Sequence, residues 1–124
     1  MKAGFTGTRL GMTASQKEAL ARYLQELKVS ELHHGDCVGA DQEACEIAQT
    51  LGIQTVCHPP DKSNLRAYTK NTATNTPKPY LVRNRDIVNE TEVLLAAPHE
   101  TRPSNGTNYT INYAKSLGKT VLVL

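Results

Sequence analysis

Residues 31–52 read ELHHGDCVGADQEACEIAQTLG and contain the pattern that decides the fold. A short strand is predicted over residues 31–34, and it ends where Gly35 opens a turn. A helix is predicted from about residue 39 or 40 to residue 51, because small and apolar residues recur there at helical spacing. Gly52 then occupies the position at which many helices end in a left-handed residue. The segment is therefore a strand, a turn and a helix, the repeating unit of α/β proteins.

The same alternation extends toward both ends of the chain. Further strands are predicted over residues 1–5, 53–57, 93–97 and 120–124, and further helices over residues 13–27, 79–89 and 107–117. Five strands that alternate with helices imply right-handed crossovers and a parallel sheet. We therefore predict an α/β fold: a single Rossmann-like doubly wound domain over residues 1–124, with about five parallel strands and helices on both faces. Residues 61–78 form the one long irregular segment, and loops of this length are usually functional lids or mobile.

Composition limits the classes of function. The chain has 124 residues, a hydrophobic fraction of 39% and a formal net charge of +2, which suit one globular domain and argue against nucleic acid as a partner. No secretory signal and no long apolar stretch is present, so we expect no membrane association. Three cysteines without a signal predict reduced thiols and a cytoplasmic location. The last predicted strand has no helix after it, so we expect a homo-oligomer to cover that side.

Small and polar residues gather at one edge of the predicted sheet, because parallel strands all end on the same side and ligands bind there. Most of them lie in glycine-containing turns before helices, where free N–H groups and the helix dipole favour an anion. Glycine also lets the backbone approach a ligand closely. The candidate ligand- and phosphate-binding residues are Gly7, Thr8, Arg9, Gly35, Asp36, Gly39, Ala40, Asp41, His58, Arg83, Ser104, Asn105, Gly106 and Thr107.

Two pairs of charged residues each have more than one interpretation. Asp36 and Asp41 follow the second predicted strand, where a carboxylate can bind ribose hydroxyls. Asp41 can equally cap or charge the first turn of its helix. Arg83 and Arg85 lie two positions apart on a predicted helix, which separates their directions by about 200°, so the two cannot both face one pocket.

Histidines and cysteines are numerous, but their spacing is poor for a metal ion. The residues concerned are His33, His34, Cys37, Cys45, Cys57 and His58. Neither a CxxC nor an HExxH motif is present, so we predict no metal site, and we interpret Cys45 and Cys57 as small core residues. A nucleophilic Cys37 would need a neighbouring base. Tyr68 and Tyr80 can stack on a nucleobase or serve in packing.

Several motifs, in this order, resemble the SLOG superfamily. They are GFTGTR at residues 4–9, HHGDCVGAD at 33–41, HPP at 58–60, PYLVRNRD at 79–86 and SNGT at 104–107. The superfamily contains the LOG phosphoribohydrolases, the Rossmann domain of Smf/DprA and small stand-alone bacterial and phage proteins. The resemblance spans nearly the whole chain and implies a Rossmann-like fold with a pocket for a nucleotide ligand.

The resemblance also bears on catalysis. The LOG signature combines a helical arginine with a PGGxGTxxE turn whose glutamate lies at the reaction centre. The arginine corresponds to Arg83, which we therefore place in the pocket, and the Gly-Thr pair corresponds to Gly106 and Thr107. Asn105 replaces the second glycine, and Thr110 stands at the glutamate position. A threonine cannot supply the carboxylate that glycosidic hydrolysis needs.

Binding is accordingly the function that we expect. The protein would sense or sequester a nucleotide or nucleotide-derived small molecule at the C-terminal edge of the sheet, without a cofactor and with no assigned catalytic residue. One alternative is a LOG-like nucleoside-5′-phosphate N-glycosidase that takes its carboxylate from Glu100, Asp36 or Asp86. The other is a DprA-like DNA-processing module.

Overall fold

The computed structural model describes residues 1–124 and contains six strands and four helices. In chain order the elements are β1 (Lys2–Gly7), α1 (Ala14–Glu26), β2 (Glu31–His34), α2 (Ala40–Thr50), β3 (Gln54–Cys57), β4 (Ala73–Thr74), α3 (Tyr80–Asn89), β5 (Val93–Ala97), α4 (Asn105–Ser116) and β6 (Thr120–Val123). None of the helices is long and apolar enough to cross a bilayer.

All six strands form one parallel sheet in the order β4-β3-β2-β1-β5-β6. The chain starts at the centre, moves outward to β4, returns beside β1 and then moves outward in the other direction. This reversal defines a doubly wound sheet, and the predicted α/β Rossmann-like fold is confirmed. The strand beyond the predicted five is β4, which pairs with the end of β3 through Ala73 and Thr74. Two exposed residues leave no hydrophobic period to detect.

Helices cover both faces of the sheet. The larger core cluster joins α1 and α2 to the inward side chains of β1, β2 and β5, with Phe5, Leu20 and Leu95 among its fully buried members. The smaller cluster lies on the opposite face, where Leu94 of β5 packs with residues of α3 and α4. Residues 93–97 are buried throughout, because their strand lies between β1 and β6 and beneath helices on both sides.

Local signals set most helix ends. Thr13 and Gln16 form the predicted capping box at the start of α1. Gly118 has a φ of 72° after α4, as expected for a left-handed C-terminal residue. The start of α4 lies two residues before the predicted position, because Ser104 caps it and accepts a hydrogen bond of 3.4 Å from the Thr107 N–H.

The predicted irregular segment, residues 61–78, is held against the end of β2 by the buried Asp36. One carboxylate oxygen accepts from Arg66 Nε at 2.8 Å, and the other accepts from the Thr69 N–H at 2.9 Å and its hydroxyl at 2.6 Å. The Asp36 carbonyl accepts from the Ala67 N–H at 2.7 Å. Asp36 therefore anchors the segment through both its side chain and its backbone.

His34 holds Asp36 in the conformation that this anchoring needs. Asp36 has a φ of 57°, which few residues other than glycine, asparagine and aspartate adopt readily. Its N–H donates to His34 Nδ1 at 3.0 Å, and His34 Nε2 lies 2.6 Å from Asn71 Oδ1 in the anchored segment. Because Nδ1 accepts, Nε2 carries the proton and the ring is neutral, and burial accordingly lowers the pKa of His34.

We predict that Asp36→Ala lowers the free energy of unfolding by about 3 kcal/mol at neutral pH, because the change leaves the buried partners of the carboxylate unpaired. Burial alone would raise the pKa of Asp36, but the hydrogen bonds from Thr69 and Arg66 together hold the pKa below its usual value. The stabilisation is therefore complete above about pH 4 and declines as the pH falls through the lowered pKa.

Chemical denaturation of both proteins at several pH values measures this effect. The stability difference should narrow below about pH 4. The control is Asp61→Ala, which removes an exposed carboxylate of the same segment. A stability difference that stays constant from neutral to acidic pH would show that the charge of Asp36 does not anchor the segment.

Candidate ligand-binding site

A cavity of about 270 Å³ opens at the C-terminal ends of β1 and β2, between α3 and the start of α4. It lies where the strand order reverses, which is where open α/β sheets bind ligands. Eight of the predicted site residues line it: Gly7, Arg9, Gly35, Asp41, Arg83, Ser104, Gly106 and Thr107. Thr8 and Asn105 line an adjoining, wider hollow of about 650 Å³, which shares Arg9, Ser104 and Gly106 with the cavity.

Four predicted residues lie outside both spaces. Both carboxylate oxygens of Asp36 bind residues 66–69, which leaves no free oxygen for a ribose. Gly39 and Ala40 pack against the end of β1 and the turn after it, Gly39 against the Arg9 backbone and Ala40 against Gly7. The ring of His58 faces a separate polar cleft on the other side of Arg83, and burial together with the nearby His33 lowers the pKa of His58 to about 4.

Two of the three predicted turns use some of their N–H groups for hydrogen bonds within the protein. The Thr8 N–H donates to the Ala97 carbonyl at 3.0 Å, and the Ala40 N–H donates to the Thr8 carbonyl at 3.0 Å. A Cβ at Gly7 would lie only 2.7 Å from that of Ala40, so glycine is needed here for the close approach of β1 and α2. These turns join the sheet to α2. The N–H groups of Asp41 and Gln42 in its first turn have no protein acceptor, but the carboxylates of Asp41 and Glu43 lie in the same turn and disfavour an anion there.

The third turn, at the start of α4, keeps its donors free. The N–H groups of Asn105 and Gly106 have no protein acceptor. The first turn of α4 contains no acidic residue, whereas that of α2 contains Asp41 and Glu43. The positive end of the α4 dipole therefore faces the cavity without a protein carboxylate in its own first turn.

Arg83 forms the inner wall of the cavity and is 95% buried. One of its terminal nitrogens donates to the carbonyls of Gly35 and His58, and the other lies 3.3 Å from Cys37 Sγ. Its Nε is the one buried side-chain polar atom without a hydrogen-bond partner. Arg83 is buried, whereas Arg85 is exposed. The geometry therefore favours Arg83 as the pocket residue, which is also the residue that we predicted.

Asp41 is the only carboxyl group that lines the cavity. Burial raises its pKa, although the neighbouring charge of Arg83 opposes this rise. Burial and Asp41 also raise the pKa of the Cys37 thiol. A thiol whose anion is disfavoured in this way is a poor nucleophile, so the geometry gives no support to a catalytic Cys37.

Thr110, at the position of the LOG glutamate, does not line the cavity. It is buried, and its hydroxyl donates to the Gly106 carbonyl at 2.8 Å. Of the acidic residues considered as substitutes, Asp86 lies in the cleft beside His58, and Glu100 lies in a groove near α1. Neither reaches the cavity.

Sequence reasoning missed part of the α3 wall. Tyr80, Asn84 and Ile87 line the cavity together with Arg83, and of these only Tyr80 was considered from the sequence, for stacking or for packing. The Tyr80 ring centre lies 5.0 Å from the Arg83 guanidinium carbon. These residues stand three before, one after and four after Arg83, so the helical period around that arginine contained the missing signal. Tyr68 instead lies on the surface against Arg66.

No family model and no curated protein matches the sequence, but several solved structures share its fold. A molybdenum cofactor binding protein from Rippkaea orientalis superposes with a TM-score of 0.76 at 19% identity, over 98% of this chain and 74% of that one. A Moco carrier protein from Chlamydomonas reinhardtii gives 0.70 at 20% identity, over 99% and 75%. DprA from Streptococcus pneumoniae gives 0.73 at 17% identity, over 98% of this chain and 49% of that one.

These likenesses concern the fold. The chain has the parallel α/β, Rossmann-like fold that these solved structures share, which is the fold that its motifs predicted. At identities of 17–20%, the agreement concerns the fold. The ligand has to be argued from the cavity itself.

We predict that substitution by alanine affects the stability strongly at one glycine of the cavity and little at another. A Cβ at Gly35 would overlap the guanidinium group of Arg83, so Gly35→Ala should cost about 1–3 kcal/mol of stability. A Cβ at Gly106 has no neighbour closer than 3.9 Å, so Gly106→Ala should stay within about 1 kcal/mol of the wild type. Denaturant unfolding measures both, and equal effects would contradict the described position of Arg83.

Proposed function

We propose that the protein binds a nucleotide or a nucleotide-derived small molecule in the cavity at the C-terminal edge of its sheet, and that binding serves sensing or sequestration. The observation that carries this proposal is the pair of free N–H groups at the start of α4, which faces a cavity that also contains Arg9 and Arg83. A helix N-terminus beside arginines is a favourable setting for a phosphate group.

In this proposal the phosphate lies against Ser104, Gly106 and Thr107, and Arg9 closes over it from the end of β1. The less polar part of the ligand extends toward Tyr80 and the α3 wall. A volume of about 270 Å³ is near the lower end of small-molecule pockets, and the adjoining hollow adds space beyond the phosphate.

The solved structures of similar fold support binding of a small molecule. Two of them are described as a molybdenum cofactor binding protein and a Moco carrier protein. Binding of DNA, which is described for DprA from Helicobacter pylori, has less support here. The net charge is only +2, and two arginines, Arg9 and Arg102, line the hollow beside the cavity, whereas binding through phosphates needs several clustered cations.

Hydrolysis of a nucleoside 5′-phosphate is the second candidate, and Asp41 is the observation that favours it. Its carboxyl group lines the cavity, and its raised pKa suits a general acid. The reaction would break the N-glycosidic bond and add water across it, so that free base and ribose 5-phosphate appear together. Incubation with nucleoside monophosphates and chromatography of the products tests this candidate.

We also propose a cytoplasmic protein that forms a homo-oligomer through the side of the sheet that ends in β6. Leu117 and Val123 are exposed there at 48% and 57%, and β6 is an edge strand. Paired edge strands are one way in which such surfaces are covered. Light scattering during size-exclusion chromatography measures the oligomeric state, and a monomer at all concentrations would contradict this part of the proposal.

We predict that Arg9→Ala weakens binding of a nucleoside 5′-monophosphate about 10-fold, because it removes a charge-assisted hydrogen bond to the phosphate. Arg9 is exposed, so its loss should leave the stability unchanged. Arg85→Ala is the matched control, since it removes an exposed arginine from the outer side of α3. Isothermal titration calorimetry measures the affinity of the wild type and of both variants for the nucleotide.

Mass spectrometry of molecules released by heating the purified protein complements this titration. A phosphorylated nucleotide-like compound supports the proposal. Equal affinities of the Arg9 and Arg85 variants would contradict the phosphate position. Salt-sensitive retention of single-stranded DNA, with no affinity for mononucleotides, would replace the proposal with a DNA-binding function.

A further inference from the structure

Two histidines and a glutamate meet on the far side of Arg83, outside the ligand cavity. His33 Nδ1 lies 2.8 Å from His58 Nε2, and Glu90 Oε1 lies 4.0 Å from each of these nitrogens. The three residues come from β2, from the residue after β3 and from the end of α3. The parallel sheet therefore brings together ligand atoms that are far apart in sequence.

We propose that His33, His58 and Glu90 bind a divalent transition-metal ion, with Zn²⁺ as the best match. Two imidazoles and one carboxylate form a common zinc ligand set that leaves the fourth position for water. Ligand atoms about 2.0–2.1 Å from a tetrahedral ion lie about 3.3 Å from one another. The distances of 2.8 and 4.0 Å bracket this value, so small side-chain movements bring all three atoms into the coordination sphere.

The surroundings of His33 resemble those of a metal-bound histidine. Its other ring nitrogen, Nε2, lies 2.7 Å from a carboxylate oxygen of Glu31. Because the carboxylate can only accept, Nε2 carries the proton and Nδ1 presents its lone pair to the cluster. A carboxylate behind a metal-ligating histidine fixes the tautomer and increases the basicity of the ligand.

His58 must change tautomer when the ion enters. Facing the lone pair of His33, its Nε2 carries the proton of the shared hydrogen bond, and this proton moves to Nδ1 through water when the metal takes its place. Asn75 lies 3.4 Å from Nδ1, and rotation of its amide group turns an oxygen toward the new N–H. The histidine stays neutral, and the exchange releases no proton.

A polar cleft leads to the cluster from the surface. It measures about 130 Å³, is lined only by polar residues and contains both His58 and the half-exposed Glu90. Asp86 also lines the cleft and forms a 2.7 Å ion pair with Lys78. The carboxylate of Asp86 therefore neutralises the positive charge of Lys78 within the cleft. The cleft provides access for a hydrated ion and space for the water in the fourth position.

The site is independent of the proposed nucleotide binding, because Arg83 separates the two spaces. Titration of the untagged, chelator-treated full chain with Zn²⁺ alone should show one ion per chain, and the melting temperature should rise with Zn²⁺ concentration. Co²⁺ should give the visible absorption of a four- or five-coordinate ion. A thiolate-to-cobalt charge-transfer band would place the ion at a cysteine and overturn the assignment.

Glu90→Gln is the decisive variant, because Glu90 is half-exposed and its replacement should not prevent folding. Loss of an outer partner of a metal ligand costs 10–100-fold in affinity, so loss of a direct ligand should weaken Zn²⁺ binding by at least about 10-fold. Glu92→Gln, an exposed neighbour in sequence, should bind as the wild type does. His58→Gln gives a second test, provided that circular dichroism shows it to be folded.

The outcomes separate this inference from the proposed function. Absence of Zn²⁺ binding, or equal binding by the Glu90 and Glu92 variants, overturns the metal site and leaves nucleotide binding untouched. Conversely, Zn²⁺ binding that persists when Arg9→Ala has lost nucleotide affinity supports two distinct sites.

Discussion

The buried guanidinium group of Arg83 is the interaction on which the functional end of the molecule depends. Carried by α3, it donates to the carbonyls of Gly35 at the end of β2 and of His58 after β3. Each carbonyl belongs to the first residue after its strand, and a charged donor forms a strong hydrogen bond with such a group in a dry setting. The same side chain forms a wall of the ligand cavity and a wall of the polar cleft. Two spaces with different chemistry therefore share one structural element.

The glycine-containing turns near Arg83 have different structural roles. The turns after β1 and β2 bind each other and the neighbouring strand, and they hold α2 close to the sheet through Gly7 and Ala40. Both α2 and α4 begin with N–H groups that have no protein acceptor, those of Asp41 and Gln42 in α2 and those of Asn105 and Gly106 in α4. The carboxylates in the first turn of α2 and their absence from that of α4 make the start of α4 the more favourable of the two for an anion. Similar turn sequences thus serve packing after β1 and β2 and, in the proposed function, recognition before α4.

Local pattern was sufficient for the architecture. Strands 31–34 and 93–97, the capping box at Thr13 and the glycine after α4 each follow from side-chain period or from a single backbone preference. Such signals are contained in a few neighbouring residues, so they can be detected in a single sequence. The short β4 was missed because its two exposed residues show no side-chain period, and only their pairing with β3 makes them a strand. The rest of the α3 wall of the cavity was missed because only Arg83 was placed in the pocket, and its neighbours on the same side of the helix were not considered.

The sequence by itself determined the doubly wound sheet, the edge at which its polar turns collect and the choice of Arg83 over Arg85. Only the tertiary structure decided which N–H donors remain free, because a donor is free where no other segment of the chain places an acceptor beside it. It also decided that Asp36 anchors residues 66–69, and that His33, His58 and Glu90 meet. Their ring and carboxylate atoms converge from three elements, and no spacing along the chain records such a convergence.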